Sequence, residues 1–143
     1  MFMGEFQHNI DIKGRLIIPV RFREQIGEKF VITKGLVHCL SGYSLGEWEK
    51  LTKKILKLPF ANPKARQLQR FYFASASSSE FDKQGRVNIP PALREWGNLQ
   101  KNCVIVGNPS HIEIWDEERW TQMNVATEEN IEEISAAMEE FGF

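Results

Sequence analysis

The sequence has no long apolar run. None of its 143 residues lie in a segment that approaches the roughly 20 uninterrupted apolar residues of a membrane-spanning helix. The first residues, Met-Phe-Met-Gly-Glu-Phe, also lack the basic stretch and following apolar run that are typical of a secretory signal. We therefore expect a cytoplasmic protein that has no membrane partner.

Cysteine and histidine are scarce, with two and three residues respectively. Cys39 and Cys103 lie in separate apolar segments, with no Cys-x-x-Cys pair and no histidine at zinc-ligand spacing. We interpret both cysteines as buried thiols rather than as redox groups or metal ligands. The sequence therefore predicts no metal site and no cofactor.

Signatures of catalysis are absent as well. The chain contains no Gly-x-Gly-x-x-Gly or Walker loop, and His8, His38 and His111 lie in three separate segments. No nucleophile elbow or paired-carboxylate pattern accompanies them. We predict that the protein is not an enzyme and has no small-molecule substrate.

The charges are distributed unevenly, although the formal net charge is only −1. Residues 1–112 hold 17 Lys and Arg against 9 Asp and Glu, whereas residues 113–143 hold 1 against 10. Such a chain can present a basic face to phosphates while its acidic segment stays in solvent. The alternative is that the acidic segment is a solvated helix with no further role.

An internal repeat organises the chain. Residues 11–23, DIKGRLIIPVRFR, return 71 positions later at residues 82–94 as DKQGRVNIPPALR. Aspartate, glycine, arginine, isoleucine, proline and the final arginine recur at identical spacing. Two copies of one unit therefore make up most of the protein.

Each repeat begins with a predicted tight turn. Asp11 and Asp82 can cap local backbone amides, and Gly14 and Gly85 supply the positive φ that other residues resist. A short β-rich segment follows each turn and ends at a proline, which has no amide hydrogen to donate. The pattern predicts a hairpin followed by a short helical turn.

Further short strands are predicted in each copy, near residues 30–33, 37–41, 103–106 and 111–115. A unit with about four short strands buries little area alone, so we expect the two copies to pair with each other. Amphipathic patterns predict helices after Ser44 and Asn62 and from Thr127 to Glu140. The expected organisation is a first half, a linking helix, a second half and an acidic C-terminal helix, at residues 1–56, 57–74, 75–122 and 123–143.

The pattern Asp-x-x-Gly-Arg-x-x-x-Pro followed by a short helix resembles the AbrB/SpoVT swapped-hairpin DNA-binding fold, and its two copies resemble the MraZ family more narrowly. The resemblance covers nearly everything from Met1 to about Trp120. It implies an α+β fold of two pseudo-symmetric swapped-hairpin β units fused in one chain, with peripheral helices. Asn88 stands where an apolar residue is commoner, and we expect it to face outward between Val87 and Ile89.

The same resemblance implies a function. It implies a transcriptional repressor that is associated with the nucleoid and binds short repeated sites on double-stranded DNA. These sites would lie upstream of the division and cell-wall gene cluster, including the protein's own gene. A ring-shaped homo-oligomer is also implied.

The basic residues of the repeat are the candidates for DNA contact. Arg15 and Arg86 directly follow the turn glycines, and arginine can clamp a phosphate or bond bidentately to guanine O6 and N7. Lys13 and Lys83 lie inside the turns and would contact phosphates. Arg21, on the helical turn, is a further candidate.

Two alternatives stay open. The repeated aspartates and arginines, at positions 11, 15, 82 and 86, could form ion pairs that merely hold each turn together. The protein could also be an antitoxin-like oligomeric module whose acidic tail engages a basic protein. The tail has an apolar helical face, however, so we expect it to pack against its own body or a neighbouring protomer.

Overall fold

A computed structural model describes residues 1–143 and shows eight strands and six helices. In chain order the elements are β1 Glu5–Asn9, β2 Arg15–Ile17, α1 Val20–Ile26, β3 Lys29–Lys34, β4 Leu40–Ser44, α2 Leu45–Leu56, α3 Pro63–Ala74, β5 Ser77–Glu80, β6 Arg86–Asn88, α4 Pro91–Trp96, β7 Asn102–Gly107, β8 Ile112–Asp116, α5 Glu117–Glu129 and α6 Ile131–Ala137. The predicted α+β class is confirmed.

Six strands form one antiparallel sheet in the order β1-β7-β8-β4-β3-β5, and β2 and β6 form a separate two-stranded ribbon. The sheet order is unchanged when β1 is exchanged with β5, β7 with β3 and β8 with β4. These are equivalent strands of the two repeats, so the chain is built as two fused pseudo-symmetric units.

Strands are exchanged between the two units. β1 from the first repeat pairs with β7 of the second, and β5 from the second pairs with β3 of the first. Within the first turn, Ile10 and Leu16 form a single bridge before the two arms of the hairpin diverge. The predicted local hairpin is therefore opened, and each unit is completed by the other.

The core lies between the ribbon and the sheet. Leu16 and Val87 face each other in the ribbon and are 0% and 1% exposed. Both residues belong to one buried apolar cluster that also includes side chains from α1, α4 and the six-stranded sheet. Further members of this cluster are Ile18, Phe22, Phe30, Ile32, Leu40, Ile89, Leu93, Cys103, Ile105, Ile112 and Ile114. Burial of this shared apolar surface stabilises both units together.

The helices begin at side-chain caps. Ser44 accepts a hydrogen bond from the amide of Glu47 at 3.2 Å, which confirms the predicted start of α2. Asn62 caps α3 in the same way. The C-terminal helix differs from expectation, because it starts at the Asp116 cap and is interrupted at Asn130, where φ is −114°. None of the helices has the length and apolar character needed to cross a membrane.

Because the core lies on one face of the ribbon, alanine substitutions on its two faces should lower the free energy of unfolding by different amounts. Leu16→Ala should lower the free energy of unfolding by about 2–5 kcal/mol, because it leaves a cavity where the two units meet. Ile17→Ala is the matched control, since Ile17 is the next residue along β2 and is 39% exposed. It should cost less than about 1 kcal/mol. Urea denaturation measures both, and equal losses would contradict the shared core.

Candidate nucleic-acid interface

The first turn is held by one aspartate. Asp11 Oδ1 accepts hydrogen bonds from the amides of Lys13 and Arg15 at 3.0 and 2.8 Å, and Oδ2 accepts from Arg15 Nε at 2.7 Å. The amide of Gly14 donates to the Asp11 carbonyl at 2.9 Å, and Gly14 has a φ of 84°. A single carboxylate thus fixes both the backbone of the turn and the direction of the arginine.

The second turn repeats this geometry. Asp82 Oδ1 accepts from the amides of Gln84 and Arg86, both at 2.9 Å, and Oδ2 accepts from Arg86 Nε at 2.8 Å. Gly85 has a φ of 77°, which strongly favours glycine. The ion pairs considered as an alternative are therefore present in both turns. Each uses Nε of the guanidinium. The Nη atoms of Arg15 have no hydrogen-bond partner within the chain, whereas Arg86 Nη2 also donates to Gln84 Oε1 at 3.4 Å.

The two turns are bonded to each other's strand. The amide of Ile89 donates to the Gly14 carbonyl at 2.8 Å, and the amide of Ile18 donates to the Gly85 carbonyl at 3.2 Å. These bonds extend the β2–β6 pairing at both ends. The two turns therefore lie at opposite ends of one ribbon.

One face of the ribbon carries both arginines. Arg15 lies opposite Asn88, and Arg86 lies opposite Ile17. Because opposed residues of an antiparallel pair point to the same side, all four side chains share the outward face. Asn88 and Ile17 are exposed, which confirms the expected outward position of Asn88, and the two arginine side chains are 34% and 25% exposed.

The remaining candidates lie around this face. Lys13 and Lys83 are exposed on the turns, but Lys83 occupies the position that Ile12 holds in the first turn. The two turns are thus not equal in charge distribution, although they are equal in backbone. Arg21 is exposed on α1, just after the ribbon.

Two further arginines pack against the turns. A Cβ built on Gly14 would come within 2.9 Å of Arg94 Cζ, and one built on Gly85 would overlap Arg23 Nη1. Each guanidinium therefore comes from the unit opposite to the turn that it covers. From the sequence these residues could not be separated from ordinary salt-bridging surface residues. Their recurrence at the last position of both repeats was the sequence signal that could have identified them.

Electrostatics keep the turn aspartates ionised. The pKa of Asp11 lies below its usual value of 3.8, mainly because the Arg15 amide donates to the carboxylate, with the guanidinium adding to the effect. The pKa of Asp82 is lowered by Arg86 in the same way. Both ion pairs are therefore present at neutral pH.

Comparison with known proteins agrees with this duplicated geometry. Two matches to the family model described as "MraZ protein, putative antitoxin-like" cover residues 1–71 and 72–141. The chain belongs to the MraZ family. It is 52% identical over 142 residues to the transcriptional regulator MraZ of Halothermothrix orenii, with 99% of both chains covered. It is 46% identical over 143 residues to that of Limosilactobacillus fermentum, with both chains covered completely, and 49% identical over 141 residues to that of Ligilactobacillus salivarius, with 99% of both covered.

The close packing of the MraZ turns predicts a large penalty at Gly85. Gly85→Ala should lower the free energy of unfolding by more than about 1–2 kcal/mol, because it forces a positive φ on alanine and displaces Arg23. Gly46→Ala is the matched control. Gly46 lies in α2 with nothing near its Cβ position, so alanine should raise stability by up to about 1 kcal/mol. Similar effects at both glycines, measured by thermal unfolding, would contradict this packing.

The aspartate pairs also predict acid sensitivity. Since both folded pKa values are below 3.8, their contribution to stability is present above about pH 4 and is lost as the pH falls through the folded values. Asp11→Asn/Asp82→Asn should therefore be less stable than the wild type at pH 7. The difference should shrink between pH 4 and pH 2, as followed by urea denaturation. A difference that is independent of pH would argue against ionised pairs.

Proposed function

We propose that this MraZ-family protein is a transcriptional repressor that binds repeated sites on double-stranded DNA. The sites would lie upstream of the division and cell-wall gene cluster, including its own gene. The names of the relatives support a role in transcription. In this proposal the protein works in the cytoplasm, associated with the nucleoid.

The observation that carries the proposal is the ribbon with two aspartate-held arginines on its outward face. The major groove of B-DNA admits a two-stranded β-ribbon, and a guanidinium can bond bidentately to guanine O6 and N7 there. Each carboxylate holds the Nε edge of its arginine, so the Nη atoms face the DNA in a limited set of orientations. Preorganisation of this kind lowers the entropy cost of binding.

The structural and functional interpretations of the arginines therefore combine. Arg15 and Arg86 stabilise their turns through Nε and read bases or phosphates through Nη. Lys13 and Lys83 contact phosphates from the turns, and Arg21 does so from α1. Phosphate contacts fix the register of the ribbon on the duplex, whereas base contacts select the sequence.

A ring of protomers supplies the affinity that one ribbon lacks. Specific complexes bury about 1,000–2,500 Å² of protein surface, more than a ribbon of three residues per strand can offer. Several ribbons on one oligomer would engage regularly spaced DNA repeats with a high effective concentration. Binding should therefore fall steeply when repeats are deleted.

A second candidate is an antitoxin-like module that binds a basic protein through the acidic C-terminus. The observation that favours it is the exposed apolar face of this segment, where Ile131, Ile134 and Met138 are 51%, 42% and 43% exposed. A partner of this kind would bind independently of the ribbon arginines.

The test is a salt-dependent titration of the repeats upstream of the protein's own gene against scrambled DNA. The wild type should prefer the repeats, and the logarithm of its binding constant should fall linearly with the logarithm of the salt concentration. Arg15→Ala/Arg86→Ala should stay folded and should lose about fivefold to 150-fold of that preference for each arginine, which corresponds to about 1–3 kcal/mol per bidentate contact.

Arg15→Lys/Arg86→Lys is the matched control, because it keeps the charge and removes the planar fork. It should retain most of the salt dependence and lose the preference for the repeats. If the wild type shows no preference between repeats and scrambled DNA, the repressor proposal is wrong and the protein-binding candidate takes its place.

A further inference from the structure

Two helix pairs flank the molecule at equivalent positions. The basic helix pair, α2 and α3 with their connection (residues 45–74), follows β4, and the acidic helix pair, α5 and α6 (residues 117–137), follows β8. α2 packs on β3 and β4, whereas α5 packs on β7 and β8. Because the pseudo-symmetry exchanges these strands, the two helix pairs lie on opposite halves of the sheet.

Their charges are opposite. The basic helix pair holds 7 Lys and Arg against 2 Glu, a net charge of +5, and the acidic helix pair holds 1 Arg against 6 Glu, a net charge of −5. Three lysines of α2, Lys50, Lys53 and Lys54, and Lys57 directly after its end line an open groove beside His111. Only Lys50 and Lys53 form ion pairs, with Glu47 and Glu49 of the same helix. Lys54 and Lys57 remain without an acidic partner.

Both helix pairs also expose apolar side chains. The acidic helix pair and the last turn form a shallow groove whose apolar lining is Ile131, Ile134, Met138, Phe141 and Phe143. Between α2 and α3, Phe60 projects with 81% of its surface exposed, and Leu56 at the end of α2 is 70% exposed. An apolar projection and an apolar groove are thus each surrounded by charge of opposite sign.

The accessible area is larger than that of a typical folded monomer of this size. The chain exposes 9357 Å², whereas a folded monomer of 16.6 kDa typically exposes about 7,600 Å². The excess is close to two faces of about 800 Å², which is the share of each partner in a standard interface.

From the complementary charge, the matching apolar surfaces and this area we propose that the acidic helix pair of one copy docks on the basic helix pair of the next copy. The proposal rests on the ring suggested above and identifies the surfaces that build it. Like pairs repel, so the contact is head-to-tail, and repeated contacts of this type close into a ring or extend as a filament.

The experiment reverses charge on one side at a time and measures mass by light scattering, without DNA. Lys54→Glu/Lys57→Glu changes the basic helix pair. Glu128→Lys/Glu129→Lys changes the acidic helix pair at the end of α5, where cations suit the helix dipole. Each variant alone should lose self-association by at least about tenfold, because its changed helix pair falls from +5 to +1 or from −5 to −1 and loses most of its attraction for the opposite face.

An equimolar mixture of the two variants should associate again, at least in pairs. The unchanged acidic face of the first variant, at −5, meets the unchanged basic face of the second, at +5, so this contact keeps its full attraction. Recovery in the mixture further shows that both variants are folded. Lys13→Glu/Lys83→Glu is the matched control, because it reverses two exposed lysines of the turns and should keep the assembly while it loses DNA binding.

Other outcomes overturn the inference in distinct ways. If the wild type assembles and the reversed variants assemble equally well, other surfaces build the ring and the acidic tail is free for a different partner. Loss of DNA binding with intact assembly in Lys54→Glu/Lys57→Glu would assign these lysines to DNA. If the wild type is monomeric both at high concentration and after 100-fold dilution, the ring is wrong as well. Repeat-specific DNA binding is measured separately, so this result would not decide the repressor proposal.

Discussion

The reciprocal pairing of the two repeats is the constraint on which the structure depends. Gly14 and Gly85 offer their carbonyls to the strand of the opposite unit, and this is possible because each turn places its glycine at a positive φ. The ribbon formed in this way closes the core on its inner side and displays the arginines on its outer side. Stability and the candidate interface therefore depend on the same few backbone bonds.

Much of this arrangement could be predicted from the repeat. The turn chemistry, the outward position of Asn88, the cap at Ser44 and the need for the two copies to pair are all local or follow from unit size. The exchange of β1 and β5 was implied only by the family resemblance and could not be derived from the residues themselves, because Ser77–Glu80 has no apolar alternation and strand partners depend on the tertiary fold. The division at residues 1–56, 57–74, 75–122 and 123–143 stays a prediction, since the exchange intertwines the two halves.

The candidate site shows why an ion pair seen in a structure does not by itself exclude a role in binding. An exposed salt bridge contributes little to stability, about 0–1 kcal/mol at most sites. Asp11 does more than pair with Arg15, because the same carboxylate accepts two backbone amides. The geometry of the arginine is thus a consequence of a turn that is needed for the fold. A guanidinium held by one edge still presents its other edge.

Fusion of two units in one chain permits a difference that two separate copies cannot have. In a symmetric dimer of single repeats both flanks would carry the same helices, so only identical surfaces would be available for further contacts. Here the backbone remains pseudo-symmetric, whereas the flank after β4 is rich in lysine and the flank after β8 is rich in glutamate. The duplicated fold keeps two equivalent turns on one ribbon, whereas the two flanks differ in charge, so the two ends of the molecule can make different contacts.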